Sequence, residues 1–277
     1  MNLTQALQTT LQTLQAANIP LPDVDAIALI EHTTGHTKLE IMLDGTQELT
    51  ADQKTTLNEA IEKRKQRIPL AYITGKAHFW GHTFMVKEGV LVPRPDSETI
   101  LATLETLIED KAQAFTVADI GVGSGCLLLS VLKEYPNATG FGIDCESIPL
   151  DVTAQNAKSL GVEERVTLIN GQGAAPLPNM VDILISNPPY IAEGEWENLQ
   201  PEVKEHEPKI ALLAENNGLG VYQTLIPQAE EKLKSGGILL LEIGYKQKQD
   251  VLNLLKEEQW QTKDCTKDLS GQDRVIL

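Results

Sequence analysis

The sequence predicts an α/β protein: a parallel, doubly wound sheet with helices on both faces, preceded by a small helical bundle. Three observations predict it. From about Thr99 onward, β-type runs alternate with helical runs, the order that builds parallel βαβ units. The run "ILLLEIG" (238–244) is apolar on both strand faces over its first residues, as expected when helices cover both sides. The first seventy or so residues instead carry short stripes at helical spacing.

In that leading part, Leu3, Leu7, Leu11 and Leu14 recur at helical intervals. "NIPLPD" then breaks the chain. A second helix over Asp25–Thr34 carries Ala26, Leu29 and Ile30 and stops at Gly35. "KLEIMLDG" reads as a short third helix ending at Gly45. Thr50 and Gln53 form a capping-box pattern that opens a fourth helix through Leu57 and Ile61. Such helices bury their stripes on one another, so this part is expected to serve contact and not chemistry. Residues 69–95 change character. "HFWGHTFMV" reads as extended, and "EGVLVPRP" follows it across a glycine turn, which fits a β-hairpin joining two domains. The expected division is a bundle over 1–75, a hairpin linker over 76–98 and the sheet domain over 99–277.

The sheet domain reads as follows. "FTVADI" is a strand and "SGCLLLSVLKEY" its helix. "TGFGID" is a strand, and "SIPLDVTAQNAKSLG" a helix with a glycine stop. "RVTLIN" and "VDILIS" are strands. "GVYQTLIPQAEEKLKSGG" is a helix ending at Gly-Gly, bent or broken near Pro227. After "ILLLEIG" comes a helix around Gln247–Glu258. "WQTKDCTKD" and "DRVIL" close the chain as two strands with a glycine turn. No internal repeat, low-complexity tract or heptad pattern is visible.

Composition narrows the function. The 277 residues, 42% hydrophobic and 22% charged, are those of a globular protein with room for two cores. A net charge of −16 argues against a broad electrostatic grip on nucleic acid. Cys126, Cys145 and Cys265 are sparse, odd in number and without C-x-x-C spacing, as free thiols in a reducing compartment would be. The N-terminus carries neither a secretory nor a transit pattern, and no apolar run approaches the ~20 residues that cross a bilayer. A cytoplasmic protein without membrane contact is expected.

Two motifs carry chemistry. "ADIGVGSGC" places Gly121, Val122, Gly123, Ser124 and Gly125 between the first strand of the sheet and its helix. Glycines there allow a sharp turn and a close backbone approach to a ligand. A dinucleotide fingerprint would put its third glycine where this chain has Cys126. Asp144 ends the next strand, near the ~20-residue offset of a ribose-binding acid. A nucleoside cofactor without a pyrophosphate fits, and S-adenosylmethionine is the candidate. The second motif is "NPPY". A proline cannot donate to a sheet ladder, so the strand "VDILIS" must stop at Asn187. The corner then lies outside the carboxyl end of a strand, where open α/β sheets bind ligands. A planar, conjugated nitrogen such as a carboxamide is a poor nucleophile. The Asn187 side-chain oxygen and the Pro188 carbonyl can accept its two N–H bonds and favour the charge that develops during attack. Pro188 and Pro189 keep those acceptors stiff, and the Tyr190 ring can pack on the flat amide face. Methyl transfer then needs only in-line placement.

"DIGVGSG", "GID" and "SNPPYI", in that order, resemble class I S-adenosylmethionine-dependent methyltransferases acting on amino or amide nitrogens, which have a Rossmann-like, seven-stranded sheet. "PLAYITG", "FWGHTFMV", "VLVPRPDSE", "EHEPKIALLAENNGLGVY", "GGILLLEIGYKQ" and "DLSGQDRVIL" are similar to the HemK/PrmC family across nearly the whole chain. That resemblance implies a release factor-specific protein-(glutamine-N5) methyltransferase. Its substrate would be the glutamine of the Gly-Gly-Gln loop of class I peptide chain release factors. It also implies that Gly121 to Gly125 line the methionine and ribose of the cofactor and that Asp144 binds the ribose. Asn187 would touch both cofactor and glutamine, and Pro188, Pro189 and Tyr190 the glutamine. The helical N-terminal part and hairpin would help hold the release factor.

One departure stands out. Where the family shows an acid and then a large residue after "LIN-G", this chain has Gln172 and Gly173. Gln172 can accept from the adenine amino group only without charge, and Gly173 offers no ring over the base. Tighter cofactor binding is therefore expected of a Gln172→Asp, Gly173→Trp variant. Asp96 replaces a usual Glu and keeps its charge. The acidic run holding Glu202 and Glu207 reads as a solvated loop and helix; the resemblance places it by the substrate entrance, which makes either acid a candidate to meet the partner. Arg94 is either an anchor for the loop over the site or half of a structural ion pair, and Trp80 an inter-domain packing residue. His32 with His36, and His78 with His82, lack partners at metal spacing, so no metal is expected. Two rivals remain: an adenine-specific nucleic-acid methyltransferase, because adenine's amino nitrogen is also conjugated, and a cofactor-binding interaction module that has lost catalysis.

Overall fold

The computed structural model describes residues 1–256, 258–261 and 264–277. By its internal contacts the chain forms two compact units, one of Met1–Lys76 with Gln200–His206 and one of Ala77–Leu199 with Glu207–Leu277.

The first unit is helical. α1 (Leu3–Ala16), α2 (Pro22–Thr34), α3 (Lys38–Leu43), α4 (Ala51–Lys65) and α5 (Leu70–Thr74) follow one another along the chain. Their starts are written locally. Thr50 and Gln53 form the expected capping box, and Asn2 with Gln5 and Thr37 with Glu40 form two more. α2 begins earlier than expected, at Pro22, because a proline is well suited to the first turn of a helix. It ends where expected, on Gly35 in the left-handed region at φ 75°. Leu3, Leu14, Leu29, Ile30, Leu57 and Ile61 make the core. The short helix α9 (Pro201–His206) belongs here, although its sequence neighbours do not. Its Glu202 is buried and accepts from Arg64 Nη2 (3.0 Å) and Arg67 Nη1 (3.1 Å). Arg64 Nε also donates to Asp25 Oδ2 at 2.6 Å. Glu202 is thus occupied inside this unit and is not the exposed partner contact the acidic run suggested.

The hairpin is tighter than expected. β1 (Lys76–Phe79) and β2 (His82–Met85) turn at Trp80–Gly81, where both residues have positive φ (48° and 71°). The glycine turn expected farther on joins no second arm, and residues 86–94 run without strand structure. Trp80 packs on the core of the sheet unit, and His78 and His82 fall on opposite strands of the hairpin.

The sheet unit holds α6 (Glu98–Leu107), β3 (Thr116–Ile120), α7 (Cys126–Glu134), β4 (Thr139–Asp144), α8 (Ser147–Leu160), β5 (Val166–Asn170) and β6 (Val181–Ser186). Beyond the α9 excursion come a turn-like α10 (Glu215–Gly218), α11 (Gly220–Lys232), β7 (Leu233–Glu242), α12 (Lys248–Leu252), β8 (Cys265–Lys267) and β9 (Asp273–Ile276). The seven strands lie in the order β5-β4-β3-β6-β7-β9-β8. Five are parallel, but β9 is antiparallel to both β7 and β8, so the sheet is mixed. The reason is local. β8 and β9 are joined by a short turn through Gly271, and strands so joined must oppose each other. Apolar clusters cover both faces of the sheet, one around Leu128, Leu129 and Tyr135, the other around Tyr222, Leu225 and Ile226.

α11 differs from expectation. It runs unbroken through Pro227 and stops at Lys232, while Ser235–Gly237 belong to an irregular stretch of β7. Losing one helical hydrogen bond is tolerated where Tyr222, Leu225, Ile226 and Ala229 bury the helix on both sides of the proline. The last helix is shorter than the expected Gln247–Glu258. Part of that stretch and part of "WQTKDCTKD", at Glu257, Thr262 and Lys263, lies outside the described residues.

Candidate active site

β3 and β6 are neighbours in the sheet, while their sequence successors lead to opposite sides of it. This is the topological switch point, whose crevice binds ligands in open α/β sheets. The glycine turn follows β3 and the Asn-Pro-Pro-Tyr corner follows β6, so the two motifs that sequence reasoning singled out stand side by side. Ser186 Oγ donates to Ile120 O at 2.6 Å and ties their stems together. β4 brings Asp144 alongside on the other flank, and β5 brings Gln172 and Gly173 one strand farther.

Gly121, Gly123 and Gly125 all have positive φ, at 79°, 58° and 80°. The first two differ in kind from the third. A Cβ on Gly121 would meet nothing within 4 Å, and one on Gly123 only Gly121 O at 3.9 Å. On Gly125 it would strike Thr153 Cγ2 at 2.8 Å and Leu129 Cδ1 at 2.9 Å. Gly125 therefore serves packing. Gly121 and Gly123 hold the backbone open toward free space, as a bound molecule requires. The turn is held by the amides of Gly121 and Val122, which both donate to Ile143 O at 2.9 Å. Val122 and Ser124 point inward and are buried. Asp144 accepts from Gly123 N (3.1 Å, Oδ2) and from Glu146 N (3.1 Å, Oδ1). Burial still pushes its carboxyl above the usual range. A half-buried acid at this height fits a ribose diol, which brings two donors. These residues fit the adenosine and methionine parts of S-adenosylmethionine.

Gln172 is exposed. Gly173 is not a free position. Its φ is 65°, and a Cβ there would lie 2.2 Å from Gln228 Oε1, the atom that accepts from Ala174 N at 2.7 Å. A tryptophan at 173 would have to break that contact and strain the backbone, which corrects the expectation for the double variant. The Gln172→Asp change alone keeps its rationale.

The corner is wired differently. Asn187 Nδ2 donates to Ser97 Oγ at 2.9 Å. Tyr190 OH donates to Glu242 Oε1 at 3.4 Å, and Gln247 Nε2 donates to Tyr190 O at 3.0 Å. Gly218, at φ 86°, lets the chain pass under Tyr190 O, which a Cβ would meet at 2.2 Å. Leu91, Arg94, Asn187, Pro188, Tyr190 and Leu212 line a small cleft here. Glu207, buried beside it, accepts from Val92 N at 3.1 Å and forms an ion pair with Arg94. That pairing holds the loop ahead of α6 and leaves Glu207 no free face for a partner.

Four polar residues of this cluster were not singled out in the sequence: Ser97, Glu242, Asp268 and Arg274. Glu242 is fully buried, and burial raises its carboxyl to about 7. Arg274 forms ion pairs with Asp268 (2.9 Å) and Asp96 (3.2 Å) and donates to Ile243 O at 3.2 Å. A lone acid ending the apolar run of β7 was the available signal for Glu242. Among the described residues, no group of three or more His, Cys, Asp or Glu is arranged to hold a metal. None of the described helices is long and apolar enough to cross a membrane.

Two family models match the chain: the PrmC N-terminal domain over residues 5–75 and the methyltransferase small domain over residues 94–203. The release factor glutamine methyltransferase of Caulobacter vibrioides is 40% identical over 95% of this chain and 91% of its own. Proteins of the same name from Moorella thermoacetica (35%) and Koribacter versatilis (32%) align over 100% of this chain and 98% of theirs. With the glycine turn and the Asn-Pro-Pro-Tyr corner at one switch point, and with likeness of this extent, the chain belongs to the release factor glutamine methyltransferase family.

Proposed function

We propose that this protein transfers a methyl group from S-adenosylmethionine to the side-chain amide nitrogen of a release-factor glutamine, the one in the Gly-Gly-Gln loop. The observation that carries the reading is the orientation of Asn187. Its Nδ2 is spent on Ser97, so its Oδ1 is the atom left to accept from a substrate N–H. The cofactor supplies an electrophilic methyl group. Everything else falls to the chain. Asp144, Gln172, Gly173 and the turn Gly121–Gly125 hold the adenosine and methionine parts. Asn187 Oδ1 and the Pro188 carbonyl take the two amide N–H bonds and stabilise the positive charge that grows on the nitrogen. Pro188 and Pro189 keep the acceptors fixed before the substrate arrives. The Tyr190 ring covers the amide plane, and its hydroxyl stays protonated, because burial and the Glu242 charge both push it upward. Residues 1–75 hold the body of the release factor, and the setting is the cytoplasm, which three free cysteines support.

Incubation with labelled cofactor tests this against a Gly-Gly-Gln release factor, its Gln→Ala variant and DNA. Label in the first alone is expected. Label in DNA alone would transfer the site to adenine chemistry, and label in none would leave a binding module.

A further inference from the structure

Ser97 stands at the start of α6, where a serine normally caps a helix and contributes about 1 kcal/mol by doing so. Here its side chain makes no capping bond. It is 2% exposed, accepts from Asn187 Nδ2 at 2.9 Å and sits beside the Glu242 carboxyl, whose proton affinity it lowers. Glu242 lies at the end of β7, one residue past the Ser186–Leu241 pairing, with Oε1 on Tyr190 OH. Among the described residues its Oε2 has no partner within hydrogen-bond criteria.

The polarity of this row follows from elementary chemistry. An ionised carboxylate only accepts. Toward such a neighbour the Ser97 hydroxyl can act only as a donor, and its lone pairs are left to Asn187 Nδ2, which they meet at 2.9 Å. Only the NH₂ end of the Asn187 amide can answer them. The amide is thereby fixed with its oxygen turned outward. Without such a row the two ends of an asparagine are nearly equal in shape, and half a turn about the last torsion would present a donor to the substrate's own donors.

We propose that Ser97 and Glu242 are positioning residues that set the direction of the Asn187 amide, so that its oxygen faces the glutamine to be methylated. The inference rests on the reading of Asn187 given under the proposed function. Its consequence is a split in kinetics. Losing the row leaves the cofactor site and the release-factor surface alone, but strips Asn187 Nδ2 of its acceptor, so that the turned amide becomes the favoured one by about tenfold or more.

The test compares Ser97→Ala, Ser97→Thr, Glu242→Gln and Asn187→Ala in the full chain. Turnover and KM for a Gly-Gly-Gln release factor, cofactor affinity by calorimetry and thermal midpoint are read on each. Ser97→Ala is expected to lower kcat at least tenfold, with KM and cofactor affinity within about threefold of wild type. Ser97→Thr, which keeps the hydroxyl, is expected to restore most of it. Glu242→Gln can point a donor at Ser97 and is expected to fall with Ser97→Ala. A further readout is the pH profile. The wild-type kcat is expected to decline as Glu242 takes up a proton, and Ser97→Ala to lose that limb. The groups facing Glu242 are Tyr190 and Tyr222, whose phenols stay protonated, the Cys126 thiol, likewise neutral, and the charged Asp96 and Arg274. If Asn187→Ala is crippled while Ser97→Ala is not, the positioning role fails and the acceptor reading stands. A loss in Ser97→Ala that tracks a fallen thermal midpoint and weaker cofactor binding, unrelieved by threonine, also overturns it. Unchanged turnover in Asn187→Ala would sink the acceptor reading itself.

Discussion

The loops that follow β3 and β6 lie side by side and are built by opposite means. The first is made by leaving side chains out. Gly121 and Gly123 take backbone angles that other residues resist, and the space beside them is open. The second is made by putting stiff and polar side chains in. Two prolines fix the backbone, and Asn187, Ser97, Tyr190 and Glu242 fix one another. Each loop also stands over a buried carboxyl, Asp119 under the turn and Glu242 under the corner. Under the proposed function, a turn of the first kind governs whether a cofactor fits, and a corner of the second kind governs whether a bound nitrogen is correctly held. Substitutions in the two should therefore separate affinity from turnover.

The largest effect is expected at the corner. Asn187→Ala removes one preorganised acceptor and should lower kcat about 10²–10³-fold, the range seen when one donor of a comparable charge-stabilising site is lost. Cofactor affinity by calorimetry should change less than tenfold. A variant that loses affinity and turnover in equal measure would erase the distinction between the loops.

At the turn the reverse is expected. Gly121→Val meets no neighbouring atom, so its cost is backbone strain of ~1–3 kcal/mol at a left-handed position, together with a branched side chain in the cofactor's space. The strain should show as a lower thermal midpoint, while cofactor affinity should fall about tenfold or more because the side chain takes the cofactor's space, and kcat at saturating cofactor should stay within about threefold. Calorimetry followed by saturation kinetics reads both. Unchanged affinity would mean that the open space beside Gly121 is not where the cofactor lies.

The two buried carboxyls sharpen the comparison further. Burial raises Asp119 to about 8; among the described residues only Leu128 N donates to it, and Oδ1 has no partner. An aspartate raised from its unfolded value of about 3.9 keeps, in the folded chain, a proton that the unfolded chain has lost. Stability is then fully present below about pH 4 and declines as pH rises toward 8. Asp119→Asn keeps the shape and removes the titration. Its urea midpoint should change less between pH 6 and pH 8 than that of wild type. Equal slopes would place the pH dependence elsewhere, with Glu242 next in line because its carboxyl is raised in the same direction.

What the sequence disclosed follows the same division. The turn was legible because glycine spacing and strand period are local, and both lie within ten residues of chain. The position of Asn187 was legible because prolines end strands. The row behind it was not. Ser97 and Asn187 are 90 residues apart and Tyr190 and Glu242 are 52 apart, so neither pair leaves a local pattern. Glu202 and Glu207 misled for a related reason. A short acidic run looks solvated, and only the fold shows that Arg64 and Arg67 neutralise one acid and Arg94 the other. The glycine turn between the last two strands set β9 against β8, but its pairing against β7 was hidden, because strand pattern carries no sign of which strand lies alongside.

The smallest expected effect lies at Gln172, the edge of the proposed cofactor site. Gln172 offers a neutral amide oxygen where an acid would offer a charged one, and hydrogen bonds to charged groups are worth about 1.5–3 kcal/mol against about 1 for neutral pairs. Gln172 is exposed at the end of β5, so solvent screens most of that difference. Gln172→Asp should therefore tighten cofactor binding only a few-fold, with kcat unmoved, because nothing at this position touches the corner. Adding Gly173→Trp should cancel the gain, since the side chain must displace Gln228 from Ala174 N and hold φ near 65°. Calorimetry on the single and double variants decides it. Weaker binding by Gln172→Asp would mean that the adenine amino group is not what Gln172 meets. A double variant that binds more tightly than the single one would show that Gln228 yields without cost, and that ring contact with the base outweighs backbone strain.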